Sequence, residues 1–148
     1  MSLSIIVLAA GKGSRMVSST PKVFHNVGNY PMLFHVLDTA SSLKNNLINL
    51  VISHSLFKFK EIIKKKYERI LFSTQLKQNG TADAVKTAFK NINEEKSKIT
   101  LVLYGDTPLV SKKTLSNSLD KFKKEDLDLC VLSMKPDEIK NNYGKLKF

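Results

Sequence analysis

The side chains with a chemistry in view lie in a glycine-bearing loop, a proline–lysine pair, a glutamine-led stretch and a turn with a single aspartate. Leu8-Ala9-Ala10-Gly11-Lys12-Gly13-Ser14-Arg15-Met16 combines small residues with two cations. Small residues let backbone N–H groups come close to a chain of phosphates, and Lys12 and Arg15 add positive charge there. Met16 stands where the third glycine of a dinucleotide fingerprint belongs, and no Gly-Lys-Ser/Thr follows at P-loop spacing. A plain glycine turn is the other reading; the apolar run before the loop and the arginine within it favour an anion cradle. In Thr20-Pro21-Lys22 the proline fixes the backbone and aims Lys22 at the same phosphates. Alone, a Pro-Lys pair is an ordinary turn.

In Gln75-Leu76-Lys77-Gln78-Asn79-Gly80-Thr81, the Gln75 amide offers one donor and one acceptor face, which suits the edge of a pyrimidine. Gly80 permits close approach, and the helix expected after Thr81 presents free N–H groups. In Tyr104-Gly105-Asp106-Thr107-Pro108, the Asp106 carboxylate suits Mg²⁺ when phosphates supply the other oxygens. A turn or capping aspartate is the alternative. His25, His35 and His54 have no metal-ligand spacing and are assigned to packing or the surface. Asp38 and Asp83 fall in expected helices and are read as surface or capping charges.

These residues need a frame that brings them together. Apolar runs at 3–9, 48–53, 70–73, 99–104 and 127–134 read as strands, the last with a buried Cys130. Between them, Pro31 opens a helix to about residue 44, striped by Met32, Leu33, Val36, Leu37, Ala40 and Leu43. Residues 56–67 read as a lysine-rich helix. Thr81 reads as the N-cap of a helix facing inward through Val85, Ala88, Phe89 and Ile92, and Ser111 as the cap of one carrying Leu115, Leu119 and Phe122. Residues 135–148 read as an extended loop. Alternating strands and helices imply an α/β fold, a mostly parallel sheet with helices on both faces. Ligands of such sheets gather at the carboxyl ends of the strands, where every loop above begins.

Composition narrows the alternatives. The chain has 148 residues, 42% hydrophobic and 25% charged, enough for one domain with a core. Its only cysteine, Cys130, favours a reducing, cytoplasmic setting. No apolar run is long enough to span a membrane. The net charge of +11 raises nucleic-acid binding, but every basic residue except Arg15 and Arg69 is a lysine. Lysine is a hydrated point charge rather than a bidentate base reader, so the cluster at 58–66 reads as a solvated helix face and nucleic acid is set aside.

Taken in order, Leu-Ala-Ala-Gly-Lys-Gly-Ser-Arg-Met, Pro-Lys, Gln-x-x-Gln-x-Gly-Thr-Ala-x-Ala and Tyr-Gly-Asp-Thr-Pro-Leu resemble the sugar-phosphate nucleotidyltransferases. Within them the chain is most similar to the uridyltransferase (pyrophosphorylase) domains of the bacterial bifunctional N-acetylglucosamine-1-phosphate uridyltransferase / glucosamine-1-phosphate acetyltransferase family. The likeness runs from Ile5 to Leu146; cytidylyltransferases of isoprenoid synthesis share the first loop and Pro-Lys and are the alternative. The resemblance implies a Rossmann-like nucleotidyltransferase fold. It implies that Leu8, Ala9, Ala10 and Gly11 line the nucleotide site, with Arg15 and Lys22 on the triphosphate and the sugar phosphate. Gln75 would read uracil, with Gly80 and Thr81 closing on the same base, while Tyr104 and Gly105 position the sugar and Asp106 holds Mg²⁺. Gly144, in Asn142-Tyr143-Gly144-Lys145, resembles the family's Tyr-Gly-Arg turn against the N-acetyl sugar, with Lys145 in the arginine's place.

The implied reaction is Mg²⁺-dependent in-line attack by N-acetylglucosamine 1-phosphate on the α-phosphorus of UTP, giving UDP-N-acetylglucosamine, a peptidoglycan and lipopolysaccharide precursor, and pyrophosphate. On the family's pattern, residues 1–148 are a nucleotidyltransferase domain incomplete at its C-terminus. The pattern's later sugar-contacting Glu and Asn, its metal-site Asn and its acetyltransferase β-helix lie beyond Phe148. Trimerisation, which the family achieves through that β-helix, is not expected of this chain. A non-catalytic nucleotide-binding module, or transfer with another sugar or with CTP, is the competing expectation.

Overall fold

The computed structural model describes residues 2–13, 16–45, 47–92 and 97–134. In chain order these form β1 (Leu3–Leu8), a 3₁₀ turn (Lys22–Phe24), the short strands β2 (Asn26–Val27) and β3 (Tyr30–Pro31), and α1 (Met32–Ser41). Then come β4 (Leu47–Ile52), a 3₁₀ stretch (His54–Phe59) leading into α2 (Lys60–Lys66), β5 (Ile70–Thr74), α3 (Thr81–Phe89), β6 (Ile99–Tyr104) and α4 (Lys112–Lys124).

The main sheet is ordered β5-β4-β1-β6 and its pairs are all parallel. Strand β1 lies inside it, with Val7 opposite both Leu50 and Leu103. Being covered on both faces, β1 is apolar at nearly every position rather than alternating. Leu3, Ile5 and Val7 join Leu33, Val36, Leu37 and Ala40 of α1, Ile63 of α2 and Leu115 of α4 in the larger core. The opposite face is thinner: Ile6 and Val51 pack against Ala84 and Ala88 of α3. Leu33, Leu37, Leu50, Ile52, Leu56 and Ile63 are fully buried; each contributes roughly 1.5–3 kcal/mol by leaving water.

The two-stranded pair β2–β3 turns at Gly28 and Asn29, both at positive φ (59° and 62°). This is the twist that a two-residue hairpin requires, and Gly-Asn accepts it readily. Pro31 ends the hairpin and caps α1 with φ −55°. Asn49, fully buried in β4, donates from Nδ2 to the Ala88 carbonyl at 3.1 Å and so ties the strand to an end carbonyl of α3 that the Asn91 N–H also reaches.

The helix expected over 56–67 is instead a 3₁₀ stretch followed by the short α2. Its lysines are not all solvated: Lys60 Nζ lies 4.6 Å from the Phe57 ring centre, and Lys66 Nζ lies 4.4 Å from that of Tyr30. Ser111 caps α4, its side chain accepting from the Thr114 N–H. Thr81 does not cap α3. That place belongs to Gly80, whose φ of 99° sends the chain into the helix by a backbone route that leaves Thr81 as the first helical residue. Phe89 is exposed, because the inward stripe of α3 runs through Ala84 and Ala88 instead.

Residues 127–134 form no strand, and Cys130 is exposed along with Leu129 (77%). An apolar run becomes a strand only by pairing its N–H and C=O groups, and this one has no ladder among the described residues. Asp38 is more than a surface charge, since it accepts from the Tyr30 hydroxyl at 2.8 Å and the Tyr67 hydroxyl at 2.6 Å. No helix among the described residues is long and apolar enough to cross a membrane.

Candidate active site

At the carboxyl ends of the parallel strands, the last carbonyls of the inner strands anchor the first residues of neighbouring loops. Ala9 N–H donates to the Val51 carbonyl (2.8 Å), Gln75 N–H to that of Ile52 (2.9 Å), and Gly105 N–H to that of Leu8 (2.8 Å). These bonds bring three loops to one cleft of about 340 Å³. Leu8, Ala9, Ala10, Gly11, Lys22, Gln75, Gly80, Thr81, Tyr104 and Asp106 line it, together with Lys12, Val23, Gln78 and Ala84. Gly105 lies behind the wall. A Cβ there would meet the Leu8 carbonyl at 3.1 Å and Leu33 Cδ1 at 3.3 Å, so its smallness lets two strand ends close up. Arg15 and Gly144 lie outside the described residues, as does the loop expected over 135–148.

Lys22 is held in place by its neighbours. Pro21, at φ −55°, starts the 3₁₀ turn; Val23 is buried, and the Phe24 ring stacks on Phe59 with centroids 3.9 Å apart. Gly13 at φ 59° brings its loop against Lys22: a Cβ on Gly13 would lie 2.9 Å from Lys22 Cβ. The Lys22 ammonium then reaches Asp106 Oδ2 at 2.5 Å. Asp106 itself sits in a turn braced by the Thr107 hydroxyl, which donates to the Tyr104 carbonyl at 2.8 Å. Two lysines and one carboxylate therefore line the cleft, a cationic balance suited to polyanions.

On the opposite wall, Gln75 is almost fully buried. Its Nε2 donates to the Gly80 carbonyl (3.1 Å) and to Asp83 Oδ2 (2.7 Å). Gln78 Nε2 donates to the Ala10 carbonyl at 2.5 Å, tying this loop to the glycine loop. Asp83 is thus engaged with the cleft wall rather than being a plain helix-surface charge. Sequence reading missed that contact, although a carboxylate in the first turn of a helix directly behind the Gln75 loop was the available signal. Gln78 was visible only as a member of that loop.

A single carboxylate is a sparse donor set for a metal, and the described residues contain no cluster of three or more His, Cys, Asp or Glu side chains. It fits a hard cation that takes most of its oxygens from phosphates and water. Asp106 already holds one positive group, the Lys22 ammonium, at the cleft mouth.

The parallel sheet with its loops converging on this cleft defines an α/β domain of the Rossmann-like nucleotidyltransferase fold. The chain belongs to the MobA-like NTP transferase domain family, whose model matches residues 5–140. Among curated relatives it is 44% identical, over 118 residues, to the bifunctional protein GlmU of Neisseria meningitidis, covering 80% of this chain and 25% of that protein. It is 37% identical to the bifunctional protein GlmU of Idiomarina loihiensis, covering 99% of this chain and 30% of the relative. The chain thus spans less than a third of the length of these relatives. A solved structure of 4-diphosphocytidyl-2C-methyl-D-erythritol synthase from Anaerococcus prevotii superposes with a TM-score of 0.69 at 23% identity, over 83% of this chain and 52% of that one. A putative glucose-1-phosphate thymidylyltransferase from Bacillus anthracis gives a TM-score of 0.70 at 19% identity, over 83% and 51%. Both likenesses concern the fold.

Proposed function

We propose that this chain carries the nucleotide-binding part of a uridyltransferase, joining UTP to N-acetylglucosamine 1-phosphate to give UDP-N-acetylglucosamine and pyrophosphate. The observation that carries this reading is the Lys22–Asp106 pair at the mouth of a cleft floored by a glycine loop. A cation for phosphate and a carboxylate for a metal stand side by side there. The motif resemblance supports the choice of substrates, and the family model supports a nucleoside triphosphate as one of them.

In the proposed reaction an oxygen of the sugar phosphate attacks the α-phosphorus of UTP, and the bond from that phosphorus to the bridging oxygen of the β-phosphate breaks. The attacking oxygen is already anionic, so no side chain is required as a base. Backbone N–H groups of Ala10 and Gly11, beyond the tethered Ala9, bind phosphate oxygens, and Lys22 releases Asp106 to pair with them. Arg15 is assigned to the same phosphates. Catalysis then consists of positioning and charge neutralisation in a cleft with few competing charges. Asp106 would hold a divalent cation, Mg²⁺ in this proposal, which supplies electrostatic stabilisation of the charge that builds on the phosphates. Gln75, Gly80 and Thr81 meet the base; Tyr104 and Gly144 are assigned to the sugar side, and Gly105 serves it only from behind the wall, by letting the strand ends close up. A cytoplasmic setting goes with this reading, supported by the single free cysteine.

The test is pyrophosphate release by the purified chain from UTP and N-acetylglucosamine 1-phosphate with Mg²⁺. Turnover that needs both substrates and the metal supports the proposal. UTP binding without turnover would instead make the chain a nucleotide-binding module, and preference for CTP would overturn the base assignment.

A further inference from the structure

We propose that Asp83 sets the base preference of the cleft by locking the Gln75 amide in one orientation. The inference rests on the reading of Gln75 as the group that meets the base. A glutamine amide is nearly symmetric in shape, and its oxygen and nitrogen exchange places by rotation about the last side-chain bond. Unconstrained, it would offer an acceptor to one base and a donor to another and discriminate poorly.

Two oxygens remove that freedom. Gln75 Nε2 lies 3.1 Å from the Gly80 carbonyl and 2.7 Å from Asp83 Oδ2. Both partners can only accept, the first because it is a carbonyl and the second because it is a carboxylate. Turning the amide over would set Oε1 against two oxygens in a nearly dry position, since Gln75 is only 5% exposed. The Gly80 carbonyl is a shared acceptor, also receiving the Ala84 N–H at 3.2 Å. Asp83 is therefore the stronger of the two locks, with a charged acceptor at the shorter distance.

With Nε2 committed, Oε1 accepts no hydrogen bond from the described residues, and Gln75 lines the cleft. The group on offer is an acceptor alone. A pyrimidine with a protonated N3, uracil or thymine, donates to it; cytosine at the same position presents the N3 lone pair, and the two acceptors repel. Asp83 acts through Gln75 and is a positioning residue, placed in the first turn of α3 where the helix dipole also favours a negative charge.

Calorimetric dissociation constants for UTP and CTP, measured on the whole chain and on Asp83→Ala and Asp83→Asn, test the inference. Wild type should favour UTP. Asp83→Ala frees the amide to turn, and the ratio of CTP to UTP dissociation constants should fall about tenfold. Asp83→Asn still presents Oδ1 to Nε2 and should keep the ratio within about threefold of wild type. A merely structural role would weaken both nucleotides together and leave the ratio alone. If wild type favours UTP and Asp83→Ala keeps the ratio, the Asp83 inference fails while the reading of Gln75 stands. Equal losses in the alanine and asparagine variants would also sink it, since the acceptor would not be what matters. If wild type itself shows no preference for UTP, both are overturned.

Discussion

Replacing Lys22 by methionine should move metal binding and nucleotide binding in opposite directions. The Lys22 ammonium rests 2.5 Å from Asp106 Oδ2, and the two side chains are 41% and 32% exposed. A divalent cation that reaches Asp106 without nucleotide must first break this pair. A half-exposed pair is worth about 0.5–1 kcal/mol, which is about a two- to fivefold penalty on affinity. Methionine keeps an unbranched stem beside Gly13 and removes only the charge. Nucleotide-free Mn²⁺ should therefore bind about two- to fivefold more tightly to Lys22→Met. With UTP present, the proposed mechanism assigns the ammonium to the phosphates instead. Losing a charge-assisted hydrogen bond costs about 1.5–3 kcal/mol, so the metal–UTP complex should bind at least about tenfold more weakly. Calorimetric titration with Mn²⁺ alone, then with UTP at saturating Mn²⁺, reads both quantities on the same samples. Weakening of both, or an unchanged affinity for Mn²⁺ alone, would show that Lys22 does not compete for Asp106.

The other expectations use separate parts of the molecule. Asp106→Asn should make UTP binding indifferent to Mg²⁺ and lower pyrophosphate release at least about a hundredfold; near-normal release would remove Asp106 from the metal role. Gly13→Ala forces a side chain into φ 59° and against Lys22 Cβ, so it should cost about 1–2 kcal/mol in urea unfolding and weaken UTP as well. Unchanged UTP affinity in that variant would mean that the glycine loop does not position Lys22. Tyr67→Phe deletes a hydroxyl whose one proton goes to Asp38 Oδ1 at 2.6 Å, with the Phe34 carbonyl at 3.2 Å sharing it at most weakly, and should destabilise the fold by about 1–2 kcal/mol at neutral pH. Burial first, and then Asp38, push the Tyr67 hydroxyl pKa well above its ordinary value. The folded state thus keeps a proton that the unfolded chain releases, and the stabilisation is full below about pH 10 and fades above it. Urea melts of wild type and variant should therefore converge at alkaline pH; a constant gap would refute the account.

The strands of the main sheet were legible because each is a short apolar run, and buried parallel strands need no alternation. Helices α1 and α4 were legible from their stripes and, for α4, from Ser111. The run at 127–134 looked equally strand-like, but pattern cannot supply a partner. Gly80 replaced Thr81 as a cap because a positive φ leaves no mark in the residue types other than the glycine itself. The Gly28-Asn29 hairpin did leave a mark, unread among other loop residues. For the cleft, parallel topology alone sends the loops after β1, β5 and β6 to one edge, which is why their residues could be named together. What it does not give is pairing. Lys22 and Asp106 are 84 positions apart, and their contact depends on where a buried Val23 and a stacked Phe24 fix a 3₁₀ turn. The Gln75–Asp83 contact likewise depends on the angle at which α3 leaves Gly80.

The carbonyls of Leu8, Val51 and Ile52 hold the loop roots through main-chain bonds alone. Every amino acid except proline supplies the N–H that such a bond needs. The residues at 9, 75 and 105 are tethered by a feature that mutation of the surrounding side chains leaves intact. Selection is then free to rewrite the tips, exchanging a glutamine, lysine or tyrosine for whatever a new base or sugar demands, while the roots stay where they are. The cleft has the construction of an interchangeable tool head on a fixed mount, which gives a lineage room to diversify its ligands without first having to rescue its fold.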